Sequence, residues 1–421
     1  MSNERSGFSS RLGFVLATAG SAVGLGNIWR FPYLAAKYGG GTFLLTYLIL
    51  TLTFGFSLMI TEVALGRKAG TSAIRAFGHF SKKYTFIGYL TTIIPFIIFP
   101  YYCVIGGWVT KYALLSIQGG IHNAASDTFF TGFISKSAEP MICVLVFLIA
   151  TTVVVVGGVK GGVERVSTIM MPVLIVLLIG VSLFCITRPG AMAGVVYYLK
   201  PNLKGFSPTT ILAALGQLFY SMSLAMGIMI TFGSYMPKKA DLEKSVTQVE
   251  IFDTGVAFLA GLMIVPAVFA FSNGDSSMLA KGPSLMFVML PKVFDSMAFS
   301  SVIAAVFFIL VLLAALTSSI SLLETLVAVL MDKFHMKRGT ACITMFIIAL
   351  LLAVPSSLGF GAWSNITILG FDFLDFFDFI SNSVLMPIAA FLTCLFVGYI
   401  IKPKVIVDEV ESSGEFKRKS L

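Results

Sequence analysis

The sequence predicts an all-α protein that crosses a membrane many times, built as two five-helix halves of opposite orientation. Three observations predict it. The 421 residues are 57% hydrophobic and only 12% charged, with a mean hydropathy of +0.94. A water-soluble chain of this length cannot hide that much apolar surface. Apolar runs of about twenty residues recur along nearly the whole chain, and they are continuous rather than alternating, which sets aside a β-barrel. Finally, the first and sixth runs are each interrupted near the middle by small and polar residues.

Ten spans are expected, at 12–36, 42–66, 86–116, 140–158, 166–187, 209–236, 246–272, 299–331, 339–354 and 374–400. The first run is no signal peptide, because it is long, contains Arg30 and lacks a small-residue cleavage site after a compact apolar core. Lysine and arginine set the orientation. With the N-terminus in the cytoplasm, the inner loops hold about twice as many of these residues as the outer ones. Both termini are then cytoplasmic, in a cell (inner) membrane. The expected organisation is a cytoplasmic N-terminal segment 1–11, a first five-span repeat 12–187, an external connection 188–208, a second repeat 209–400 and a cytoplasmic tail 401–421. The tail is charged and polar, and expected to be mobile. The stretch 272–298 mixes apolar residues with loop formers and is expected to fold back over the outer vestibule.

The net charge of +9 follows from the inner-side bias and from anionic inner-leaflet lipid, so it is no pointer to nucleic acid. Five scattered cysteines form no CxxC pair, three histidines stand alone, and no G-x-x-x-x-G-K-[ST] stretch is present. These features give no disulfide framework, no histidine metal site and no ATP-driven step. The chain is therefore read as a carrier or channel and not as an enzyme.

Residues 20–32 read "GSAVGLGNIWRFP" and residues 216–236 read "GQLFYSMSLAMGIMITFGSYM". Taken alone, Gly20 and Gly24 fit a helix-packing face. Their counterpart in the sixth run, with Gly216, Ser221, Ser223, Ala225 and Gly227, changes that weighting. Each half has five spans, an odd number, so the second half runs in inverted topology. Discontinuous helices at matching positions of inverted halves point to a binding site at mid-depth. There, N–H groups at the start of a half-helix can hold a carboxylate, and C=O groups at its end can hold a cation. The eighth run adds "LAALTSSISLLE", residues 313–324, with Thr317, Ser318, Ser319 and Ser321 at lipid depth. With Asn27 and Asp253, these hydroxyls form an oxygen-rich set suited to a hard cation such as Na⁺.

The stretch "RLGFVLATAGSAVGLGNIWRFPYLAAKYGGGTFLLTY" and the later "LTSS" resemble the neurotransmitter:sodium symporters, and in particular the bacterial amino-acid members with the LeuT-type fold. The likeness runs from Arg5 through the tenth span. It implies a sodium symporter working by alternating access, with spans 1, 2, 6 and 7 rocking against spans 3, 4, 8 and 9. It implies two sodium sites, one at Ala22, Asn27, Ser221 and Asp253, the other at Gly20, Val23, Ala314, Thr317 and Ser318. The implied substrate pocket is Ser21, Ala22, Gly24, Gly26, Ile98, Tyr102, Tyr220, Ser223, Met226, Ser318 and Leu322. Tyr102 would hydrogen-bond the substrate carboxylate, and Tyr220 would close over its side chain. Arg30 and Asp378 match an outer gate pair, and Arg5 and Asp332 an inner one. Phe8 stands where the family usually carries tryptophan, which loses an N–H from the inner latch.

Asp253 departs from the asparagine that relatives often have. Tyr47, Gln217, Ser221, Asp253 and Ala257 match the chloride site of animal members, so Asp253 is expected to supply the negative charge there and to make uptake chloride-independent. Ile98, Met226 and Leu322 are apolar, and no partner for a charged side chain is evident, which points to neutral, hydrophobic or aromatic L-amino acids. Glu62 is expected to hydrogen-bond near the broken first span. The sequence leaves open a sensor or channel role, a homodimer, a proton taken out on the return step by Asp253, and an eleventh span after the basic cluster at 417–419.

Overall fold

The computed structural model describes residues 7–202, 206–272, 274 and 284–420. Eight helices among them are long and apolar enough to cross a membrane: Gly41–Ala69, Lys82–Ile117, Ala138–Val156, Val159–Ile186, Leu242–Ser272, Ser300–Phe334, Arg338–Leu358 and Phe373–Ile401. These are spans 2 to 5 and 7 to 10. Span 1 is a pair, Arg11–Ala22 and Gly26–Lys37, bent by 52°. Span 6 is two short pieces, Pro208–Ser221 and Ile228–Tyr235, neither of which could cross alone. The chain is an all-helical membrane protein of the two-repeat, broken-helix type.

Burial separates the helices by role. Val153 on span 4, Val176 on span 5 and Leu351 on span 9 are about two-thirds exposed, at 66%, 68% and 65%. Large apolar side chains left bare in this way are stable only against lipid. Spans 3 and 8 pack against each other through the centre, and span 1 packs on spans 5, 7 and 8.

Span 1 begins where Ser10 caps it, its side chain accepting from the Gly13 N–H at 3.0 Å. The first half ends because Val23 turns extended, with φ −74° and ψ 99°. The break in span 6 falls at residues 222–227 and not at Gly216, through which the helix runs intact. Ser223, Ala225 and Gly227 all sit in the left-handed region, with φ of 53°, 60° and 73°. Two of these three are not glycine, so the break is held against a steric cost of roughly 1–2 kcal/mol per residue.

Both described chain ends lie on one face, here the terminal face. On the opposite face, short helices Ile121–Ala124, Phe129–Ile134, Leu285–Met289 and Leu290–Asp295 fill the long connections. The part of 272–298 that is described packs inward, with Phe287 stacked on Phe130 and edge-on to Trp108. The rest of that stretch lies outside the described residues, apart from Gly274.

The expectation of a mobile tail is overturned. Residues 404–411 form a helix whose Ile406, Glu409 and Val410 are buried, and the chain beyond it to Ser420 is docked on the terminal face. The polar pattern concealed this, because the tail's charges are matched by buried charges of opposite sign far away in the sequence.

Candidate functional site

The two breaks meet. The Ser223 hydroxyl donates to the Ser21 carbonyl at 3.1 Å, and the Ser21 hydroxyl donates to Ser223 Oγ at 3.2 Å. Gln217 Nε2 donates to the Gly26 carbonyl at 2.9 Å. Between the breaks lies a small cavity of about 30 Å³. All eleven residues expected for the substrate pocket line it: Ser21, Ala22, Gly24, Gly26, Ile98, Tyr102, Tyr220, Ser223, Met226, Ser318 and Leu322. Leu25, Ser221 and Ile228 line it too. Leu25 and Ile228 were missed because an apolar residue in an apolar span carries no signal of its own.

Two glycines are dictated by space. A methyl group on Gly24 would lie 2.4 Å from Ser318 Oγ, and one on Gly26 would lie 2.7 Å from the Tyr220 ring. The Tyr102 hydroxyl is buried, reaches the same cavity beside Ser318 and Leu25, and donates no hydrogen bond among the described residues. A buried O–H donor without an acceptor costs about 1–3 kcal/mol, so it points to an acceptor that arrives with a ligand.

Beside the cavity lies a fully buried carboxylate. Asp253 Oδ1 accepts from Asn27 Nδ2 at 2.7 Å and from the Ser221 hydroxyl at 2.8 Å, and Oδ2 accepts from the Tyr47 hydroxyl at 3.2 Å. Asn27 Oδ1 accepts from the Gly24 N–H at 3.1 Å. These partners are all neutral. Among neutral partners a buried carboxyl keeps its charge only if a positive charge sits nearby, and this surrounding of amide and hydroxyl oxygens fits a hard monovalent cation. Ala22 lies at the end of the first half-helix, where carbonyls are left over.

A second oxygen group joins spans 1 and 8. Ser318 Oγ donates to the Ser21 carbonyl at 3.0 Å and reaches the Val23 carbonyl at 3.4 Å. Thr317 Oγ1 donates to Leu313 O at 3.1 Å and Ala314 O at 3.0 Å. A methyl on Gly20 would come within 3.3 Å of Thr317 Cβ. Gly20, Val23, Ala314, Thr317 and Ser318 are therefore one neighbourhood.

Glu62 corrects one expectation. Its Oε1 accepts from the Ala225 N–H at 2.9 Å, so it props the break in span 6, not span 1. Its Oε2 has no partner among the described residues.

Toward the face opposite the termini lies a second cavity of about 480 Å³, which shares Tyr220 with the site and which both Arg30 and Asp378 line. Their expected pairing is absent among the described ion pairs. Arg30 stacks on the Tyr220 ring, 5.0 Å from its centroid, while one of its terminal nitrogens has no partner. Asp378 Oδ1 accepts from Tyr101 at 3.2 Å and from Asn382 at 2.5 Å. Both charges line this cavity, each held by its own helix.

Toward the terminal face the site is sealed. The Phe8 ring meets Phe14, Phe232 and Tyr235 edge-on, and the Phe8 N–H donates to the Tyr235 carbonyl at 3.0 Å. The missing indole N–H is offset nearby: Ser9 donates from its N–H to Glu164 Oε2 at 2.8 Å and from its hydroxyl to Oε1. Tyr235 donates to Glu324 at 2.9 Å, and Glu324 is paired with Arg338. Asp332 accepts from the Ser72 N–H at 2.7 Å, while Arg5 lies outside the described residues.

A mid-depth chamber walled by two broken helices, packed closed toward one face and bordered by a larger cavity toward the other, is the architecture of a secondary carrier. Comparison with known proteins agrees. The chain matches the Sodium:neurotransmitter symporter family over residues 5–132 and 130–421. It is 35% identical over 412 residues to the sodium-dependent transporter YhdH of Bacillus subtilis, covering 97% of this chain and 90% of that one. It is 28% identical over 382 residues to the human sodium- and chloride-dependent GABA transporter 2, covering 79% and 62%. The crystal structure of MhsT in complex with L-phenylalanine superposes with a TM-score of 0.90 at 39% identity, covering 99% of this chain and 95% of that one. The chain belongs to the sodium:neurotransmitter symporter family. It is a sodium-dependent symporter of a small molecule, embedded in a membrane, and not an enzyme.

Proposed function

We propose that this protein imports neutral, hydrophobic or aromatic L-amino acids across the cell membrane, driven by sodium, without needing chloride. The observation that carries the reading is the fully buried Asp253, whose partners are neutral oxygens and amides, set against a chamber lined by Tyr102, Ile98, Met226 and Leu322. One sodium ion takes its charge balance from Asp253, with Ala22, Asn27 and Ser221. A second is held by Gly20, Val23, Ala314, Thr317 and Ser318. The substrate carboxylate receives the O–H donor of Tyr102 and the N–H groups at the start of the outer half of span 1. The bound L-phenylalanine of MhsT supports an amino-acid substrate of this size.

The terminal face is cytoplasmic, in line with its excess of lysine and arginine. Sodium and substrate enter from the outer cavity, Tyr220 settles over the substrate, and Arg30 and Asp378 close above it. The Phe8 and Ser9–Glu164 contacts then part on the inner side. The inward sodium gradient drives the cycle, with the membrane potential adding about 2.3 kcal/mol per charge per 100 mV. The test is uptake of labelled L-phenylalanine into proteoliposomes. Accumulation above equilibrium under an inward sodium gradient, unchanged when gluconate replaces chloride, is expected. Sodium-dependent binding without accumulation would instead make the protein a sensor.

A further inference from the structure

The segment after span 10 carries buried charge chemistry that the transport site does not use. Lys402, with φ 71°, turns the chain back across the cytoplasmic face into the helix Lys404–Glu411. From there, the hydrogen bonds and ion pairs described between 404–420 and other elements fall on span 2, the 6–7 loop and span 7. Arg67, at the end of span 2, is only 1% exposed. Its Nε donates to Glu409 Oε1 at 2.8 Å, Nη2 donates to the Glu409 carbonyl, and Nη1 donates to Ala240 O at 2.9 Å and Ser413 Oγ at 3.0 Å. Lys238 donates to the Arg67 carbonyl at 2.5 Å and reaches Glu409 at 3.4 Å. On span 7, Glu243 accepts from the backbone N–H groups of Lys417 and Arg418 at 2.7 and 2.9 Å. Glu250 accepts from Arg418 Nη1 at 2.7 Å, and the same guanidinium lies 3.6 Å from the centroid of Phe56 on span 2.

Three charged groups of spans 2 and 7 thus take most of their partners from one segment: Arg67, Glu243 and Glu250. A buried charge stripped of its partner is strongly destabilising, whatever the net worth of the pair. The segment therefore works as a fastener between helices that are otherwise separate in sequence. Glu62, on span 2, already ties that helix to the break in span 6 through Ala225. The far end of span 10 carries Asp378 at the outer cavity. One helix thus runs from the fastened cytoplasmic side to the outer gate.

We propose that residues 404–420 are a strap that holds spans 2 and 7 as one rigid unit and ties it to span 10, with Arg67, Glu243 and Glu250 as positioning residues for access switching. The proposal rests on the alternating-access reading above. The strap travels with the unit and stays fastened through the cycle. Loosening it lets the cytoplasmic seal at Phe8 open out of step with the outer gate, so transport falls while binding persists.

The test uses the full chain in proteoliposomes and in detergent, with Glu250→Arg, Arg418→Glu and the double swap. Three quantities are read: sodium-driven L-phenylalanine uptake, equilibrium L-phenylalanine binding in sodium, and hydrogen–deuterium exchange of residues 8–14 and 228–235. Each single reversal is expected to speed exchange there by about fivefold or more, to cut uptake several-fold and to leave binding within about twofold. The double swap is expected to restore exchange and uptake. Unchanged exchange and uptake in both single variants would overturn the strap, as would a defect the swap does not repair. If the single variants do not fold, a disulfide between Asp241→Cys and Gly414→Cys decides instead. Uptake that survives this cross-link supports a strap that stays fastened, and uptake blocked by it and recovered on reduction refutes it. If the parent protein binds but does not transport, the symport reading fails, while the exchange data still judge the strap.

Discussion

Asp253 shows how much a single buried atom pair can decide. Its carboxylate has no exposure, and its partners are Asn27, Ser221 and Tyr47, none of them charged. At an effective dielectric of 20, a unit charge 4 Å away is worth about 4 kcal/mol, which is enough to set sodium affinity. Asp253→Asn is therefore expected to raise the sodium concentration needed for half-maximal L-phenylalanine binding by more than about tenfold. Added chloride should recover part of the loss. A sodium titration in gluconate and in chloride checks both outcomes. Gly26→Ala places a methyl 2.7 Å from the Tyr220 ring. Overpacking of that kind costs about 1–3 kcal/mol, so substrate binding should weaken by roughly five- to a hundredfold with the sodium dependence retained. Competition binding at saturating sodium measures it. At this scale the sequence was informative where a residue was out of place in lipid, as Asn27, Asp253, Thr317 and Ser318 are. It was silent at Leu25 and Ile228, whose side chains suit lipid and cavity alike.

Among the elements, span 6 is the most revealing. Its small residues announced a break, but not where it falls, because Gly216 is as compatible with an intact helix as with an interrupted one. The location is set by tertiary contacts: Glu62 captures the Ala225 N–H, and Ser223 captures the Ser21 carbonyl. Local propensity cannot report on an acceptor 163 residues away. Glu62→Ala should remove that acceptor and lower the stability of the protein by about 1–3 kcal/mol. Glu62→Gln keeps an acceptor oxygen and should fall well short of that loss. Thermal melts in sodium, with and without substrate, separate the two variants. The segment after span 10 teaches the same lesson from the opposite direction. Its mixed charges look like a solvated tail because the partners that bury them, Arg67 on span 2 and Glu250 on span 7, lie 342 and 168 residues away.

Across the whole molecule, asymmetry between the two faces fixes the state of the carrier. The terminal face is packed by the aromatic cluster around Phe8 and by Ser9 on Glu164, while the opposite face holds a cavity of about 480 Å³ reaching down to Tyr220. Arg30 and Asp378 both line that cavity, and they form no pair with each other among the described ion pairs. On the proposed cycle, such a carrier admits reagents from that cavity side only, and ligand binding is expected to remove the access by drawing Tyr220, Arg30 and Asp378 together. The population shift is limited by how much more tightly substrate binds the closed form than the open one. Asp375 is exposed and lines this cavity, so it can carry a reporter cysteine once the exposed Cys394 is replaced by serine. Asp375→Cys should react quickly with an impermeant thiol reagent added on the face opposite the termini in sodium, and several-fold more slowly once L-phenylalanine is present. An Asp375→Cys protein that labels equally with and without substrate would show that the cavity does not close. The open space above Tyr220 would then be a fixed vestibule and not one half of a gate.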